Sequence, residues 1–182
     1  MKVAVASGLY AYCALGACPL WCSRRPYSKG GKCQLSEPNE HLLLLGDITK
    51  RAQFNNWLGL EVVSASLGNV ELHLKWREEF GQYTGYLHAG IVGALIDTAC
   101  GFAAATVSGR VLASQYAVRC LRPAIAETFV ARGKVIKPGR QQIFTASELF
   151  GLKDGPEVPF AVGDAILVPV QEAASTPAER AL

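Results

Sequence analysis

The sequence predicts an α+β domain in which a curved antiparallel sheet wraps one long, buried helix. Three observations predict it. The run His88 to Val107 is apolar on nearly every face, six shorter β-like runs flank it, and strands and helices do not alternate in the manner of a parallel βαβ fold. At 182 residues, half of them hydrophobic, the chain is long enough for one well-buried domain and short for two.

The first element is a leading helix. After the break at Ser36 to Asn39, Leu42 to Leu45, Ile48, Ala52 and Trp57 recur at near-helical spacing, and Gly59 ends the pattern. Two β-like runs follow, Leu60 to Leu67 and Asn69 to Trp76, split by Gly68. Val70, Leu72, Leu74 and Trp76 alternate there with Glu71, His73 and Lys75, which predicts a hairpin with one buried face. Glu78 to Leu87 is polar and reads as a loop. The long helix comes next, with Gly90, Gly93, Ala94 and Ala99 leaving room for other backbone. Four further strands are expected at Val111 to Leu121, Thr128 to Ile136, Gln141 to Phe150 and Phe160 to Val170. Pro123, the run from Lys137 to Arg140 and the run from Lys153 to Pro156 supply their turns.

The domain is expected over 38–171, with an N-terminal extension over 1–37 and a flexible tail over 172–182. Val3 to Cys22 carries no charge and is followed by Arg24, Arg25, Lys29 and Lys32, so the extension reads as signal-like or disordered. The folded domain is expected in the cytoplasm without a membrane; the alternative is that the first segment directs export or anchoring. A net charge of +3 without a dense basic run gives no support to nucleic acid as a partner. Three scattered histidines and cysteines without a CxxC pair suggest no metal site. Cys100 and Cys120 sit among apolar residues and read as small hydrophobes.

The chemistry concentrates in Gly85 to Gly101, where Asp97 is the one carboxylate in a small, apolar stretch opened by His88. Burying it alone is costly, so Asp97 pairs with Arg119 or Arg122, hydrogen-bonds a loop, or is used. At the start of the helix the Ala89 and Gly90 N–H groups are free to hold an oxyanion. Eight residues separate Ala89 from Asp97, about 12 Å along the axis, so one substrate carbonyl cannot meet both within a single copy. If both act, two copies must share the site, helped by close approach at Gly93 and Gly101.

Leu87-His88-Ala89-Gly90, Asp97 seven residues after Gly90, Leu121-Arg122-Pro123 and Gly139-Arg140 together resemble the PaaI-like hotdog-fold acyl-CoA thioesterases. Phe54 to Gly59 also looks like that family's lead-in, and the likeness spans about Leu43 to Val170. The resemblance implies a hotdog fold, a homodimer or homotetramer, and hydrolysis of a small, medium-chain or aromatic acyl-CoA. It implies that the Ala89 N–H polarises the thioester carbonyl, that His88 positions it, and that Asp97 of the other subunit activates water or attacks. Gln82 corresponds to an Asn often found six residues before the histidine, and Ala89 stands where Gly is commoner. Gly90 belongs to the substrate-binding helix start, and Arg122, Lys137 and Arg140 are candidates for the CoA phosphates. Coenzyme A arrives with the substrate, so no resident cofactor is expected. The alternatives are a hotdog hydroxyacyl-thioester dehydratase or hydratase, and a non-catalytic acyl-CoA binding protein.

Overall fold

The computed structural model describes residues 39–152 and 157–170, all within one unit that runs from Ser36 to the C-terminus. The expectations for the N-terminal extension, its four cysteines, the Lys153 to Pro156 turn and the tail from 172 lie outside the described residues.

The leading helix is two helices. Helix α1 (Glu40–Arg51) begins at Asn39, whose side chain accepts the Leu42 N–H at 2.8 Å while its amide donates to the Ala65 carbonyl at 2.5 Å. Ala52 leaves the helical region (φ −75°, ψ 106°), and a short α2 (Gln53–Leu58) follows, closed by Gly59 in the left-handed conformation at φ 70°. The single helix read from the spacing is therefore corrected to a pair. The break at Ala52 lets both Leu45 and Leu58 reach the core, which one straight helix would not do.

Strands β1 (Glu61–Ser66) and β2 (Asn69–Lys75) form the expected hairpin around Gly68, whose φ of 75° suits a residue without Cβ. Val70, Leu72 and Leu74 are buried, whereas Glu71, His73 and Lys75 lie on the other face. The loop that follows holds one 3₁₀ turn, Glu78–Phe80, whose Phe80 ring is fully buried. Helix α3 (Ala89–Ser108) then crosses the sheet. His88 is its cap rather than its first turn, a one-residue correction. The helix is long and apolar enough to cross a membrane, yet Val92, Leu95, Ile96, Ala99, Cys100 and Ala103 are buried within this domain.

Strands β3 (Val111–Cys120), β4 (Thr128–Lys137), β5 (Ile143–Gly151) and β6 (Ala161–Pro169) complete one six-stranded antiparallel sheet in the order β1-β2-β4-β5-β6-β3. Alternate residues of β6 and of the first part of β5 are buried, while Phe129, Val130 and Ala131 of β4 are buried in succession. Helix and sheet meet closely because Gly133, Ser147 and Gly163 form a row across three neighbouring strands. A Cβ on Gly133 would strike the Ala99 carbonyl, and one on Gly163 would strike the Ile96 side chain and come within 2.6 Å of the Ala117 carbonyl. This is the hotdog arrangement, a long helix in the concavity of an antiparallel sheet. One sheet edge is β3, most of whose residues are exposed.

Candidate functional site

The polypeptide leaves β2 through Trp76 and Arg77, turns at Glu78–Phe80 and closes a loop on itself by a bridge between Gly81 and Leu87. The closure sets His88 in an extended conformation (φ −62°, ψ 136°), its N–H donating to the Phe80 carbonyl at 2.8 Å. The His88 carbonyl accepts the Ile91 and Val92 N–H groups, and its imidazole Nδ1 accepts the Gly90 N–H at 2.9 Å. Within that first turn the Ala89 N–H is left over: among the described residues nothing accepts it. Gly90, read from the sequence as a second oxyanion donor, is thus corrected, since its amide is committed to the cap. Ala89 stands at a helical position and needs no positive φ, so the methyl group is tolerated there.

A cleft of about 430 Å³ opens at this helix start, lined by Gln82, Tyr86, His88, Ala89, Arg122 and Phe160 among others. Arg122 is therefore brought to the site. Gln82 lines it too, but its side chain is turned on its own loop: Nε2 donates to Thr84 Oγ1 and Oε1 accepts the Thr84 N–H at 2.9 Å. Lys137 and Arg140 lie elsewhere. Lys137 closes the far end of β4 and Arg140 lies in the turn after it, where Val135 meets Gly68 and the last turn of α3, opposite the end where Thr128 pairs with Lys75. Within one protomer they do not join Arg122. The cleft also includes Cys120, which is exposed and unlike the buried hydrophobe its neighbours predicted. Cys100 does fit that expectation, and burial pushes its thiol up to about 11. Phe160 and Tyr86 had no spacing signal in the sequence: the pairing of β3 with β6 brings Phe160 here, and the loop closed by Gly81 and Leu87 brings Tyr86.

Asp97 projects two turns further along α3. It is half-buried, its Oδ1 is shielded from solvent and has no hydrogen-bond partner among the described residues, and burial raises its carboxyl above the ordinary range. The ion pair expected as its bland explanation is absent among the described residues. Arg119 instead pairs with Asp164 at 3.0 Å on the outer face of the sheet. Gly93, one turn before Asp97, faces the Tyr116 ring of its own chain at ordinary contact distance, so it is not open for another helix; a Cβ at Gly101 would meet nothing within 4 Å among the described residues. The molecule thus offers a free amide at the helix tip and an uncompensated carboxylate roughly 12 Å away along the same axis.

A sequence profile of the Thioesterase superfamily matches residues 84–157, the stretch holding His88, Ala89, Asp97 and Arg122. A protein of Saccharolobus solfataricus, whose name describes it as a candidate esterase, is 30% identical over 105 residues, covering 56% of this chain and 75% of that protein. The chain belongs to the thioesterase superfamily. A solved thioesterase family protein from Silicibacter pomeroyi is 32% identical, covers 70% of this chain and 96% of its own, and superposes with a TM-score of 0.66. The PaaI protein of E. coli, from the phenylacetic acid degradation operon, has the same TM-score of 0.66 at 18% identity, over 74% of this chain and 97% of that one; at that identity it supports the fold alone. For this superfamily member, hydrolysis is the chemistry to which membership and the esterase-named relative point.

Proposed function

We propose that the protein hydrolyses acyl-CoA thioesters at sites shared between two copies. The observation that carries the reading is the pairing of two unsatisfied groups, the Ala89 N–H at the helix tip and the Asp97 carboxylate, that one thioester within one copy cannot reach together. Two α3 helices packed antiparallel would bring each Asp97 to the other's Ala89. The bare edge of β3 and the open surface at Gly101 support such pairing.

In this reading the carbonyl oxygen rests on the Ala89 N–H, with the positive end of the helix behind it. Asp97 of the second copy takes a proton from water, and the water oxygen bonds to the carbonyl carbon. The carbonyl electron pair moves onto the held oxygen; its return breaks the C–S bond, and the CoA sulfur leaves with the proton from Asp97. Burial makes that carboxylate a stronger base than a solvated one. Arg122 is placed for a CoA phosphate in the cleft of its own copy. Lys137 and Arg140 would serve only a site completed by another copy. No resident cofactor or metal enters the scheme.

The test is release of free CoA thiol from a panel of straight-chain, aryl-acetyl and benzoyl thioesters, read with a thiol reagent. Turnover on at least one class is expected. Binding without turnover on every class would leave the protein an acyl-CoA binder and overturn the proposal.

A further inference from the structure

Arg77 is the residue between β2 and the cleft loop whose role the reaction scheme does not use. Its guanidinium carbon lies 4.2 Å from the Phe80 ring centroid and 5.5 Å from that of Trp57, and Nη2 donates to the Trp57 carbonyl at 2.5 Å. The two rings meet edge to face at 5.5 Å. Arg77 Nε is buried and has no acceptor among the described residues. A buried donor without a partner costs stability, so packing alone would favour an apolar side chain at this position. Phe80, clamped beneath the guanidinium, is the residue whose carbonyl accepts the His88 N–H.

We propose that Arg77 is a positioning residue for the Ala89 amide. The chain of contacts is short and continuous: the guanidinium fixes Phe80 against Trp57, the Phe80 carbonyl fixes the His88 backbone, and the His88–Ala89 peptide carries the N–H that meets the substrate. An oxyanion donor works by being held in place before charge develops, and a displacement of a fraction of an ångström weakens it. The lead-in helix that carries Trp57 is thereby tied to the catalytic end of α3 through one cation. The inference rests on the reading of Ala89 as the carbonyl donor.

Two substitutions in the whole chain test it. Arg77→Met keeps the bulk and removes the cation and the donor, and Arg77→Lys keeps the charge and loses the planar fork. Amide hydrogen exchange at His88, melting temperature, and kcat and KM on the best acyl-CoA are measured for each. Arg77→Met is expected to speed His88 exchange at least tenfold beyond the change at core amides of β5. It should lower kcat about tenfold with KM unchanged, and Arg77→Lys should recover part of both. Unchanged His88 exchange and kcat in either folded variant overturns the proposal, as does a loss of kcat that only follows global unfolding. A wild-type protein without turnover refutes the thioesterase reading, while the His88 exchange arm still judges whether Arg77 holds the helix tip.

Discussion

The imidazole of His88 holds the Gly90 amide at 2.9 Å, and that one bond decides which amide of the first turn stays bare. The histidine caps its helix through a side-chain acceptor, as Ser or Asp more often do. Replacing it by Ala removes the cap and should cost about 1 kcal/mol of stability, a fall in Tm of roughly 2–4 °C for a domain of this size. Turnover should fall as well, but less than when the Ala89 N–H itself is deleted. Thermal melts alongside kcat for His88→Ala and Ala89→Pro check the order of the two effects.

Asp97→Asn should lower kcat by about two to four orders of magnitude, the usual range for a general base. It should also stabilise the fold at neutral pH. The sign follows from burial: a carboxyl whose folded pKa is raised holds its proton more tightly in the native state than in the unfolded chain. Its effect on stability is therefore favourable at low pH and is lost as pH rises through the folded value. The substituted amide carries no such charge, so the stability difference between the Asp97→Asn variant and the wild type should grow with pH over that window and be small below it. Urea melts at several pH values measure this; the pH–rate profile of the wild type should lose activity on the acid side at a pKa above that of an ordinary Asp.

Sharing of the site can be tested by complementation. Ala89→Pro deletes only the N–H, and Pro is well accepted at the first helical position. Asp97→Ala deletes only the carboxylate. Each should be inactive alone, while mixed dimers carrying one of each should regain one intact site. Verified heterodimers with no activity would show that the two groups do not meet across copies.

Gly133 lies directly beneath the Ala99 carbonyl of α3, with backbone on both sides of the contact. Gly133→Ala should cost about 2–3 kcal/mol, the usual penalty of overpacking where neither side can yield. Gly101→Ala, at an open position, should leave the isolated fold unperturbed and instead weaken subunit association. Melting temperature for the first and sedimentation for the second separate the two.

The sheet and helix were legible in the sequence because each strand carries its own alternation and α3 its own apolar run. The break at Ala52 was not, since the apolar spacing continues across it. Asp97, His88, Ala89 and Arg122 stood out as odd residue types in their surroundings, and all but Asp97 line one cleft. Cys120 and Phe160 did not, because only strand register turns them towards the helix start. The fate of Gly90 turned on a side-chain rotamer of His88, which no spacing rule encodes.

The flush seating of α3 on Gly133 and Gly163 has a consequence for how such a protein can change over time. With no slack beneath it, the helix can neither slide nor roll on its own sheet. If the site is shared as proposed, the separation between acid and amide must then be tuned where two chains abut. Mutations along the exposed edge of β3, outside the cleft itself, are where rate and substrate range would be expected to drift.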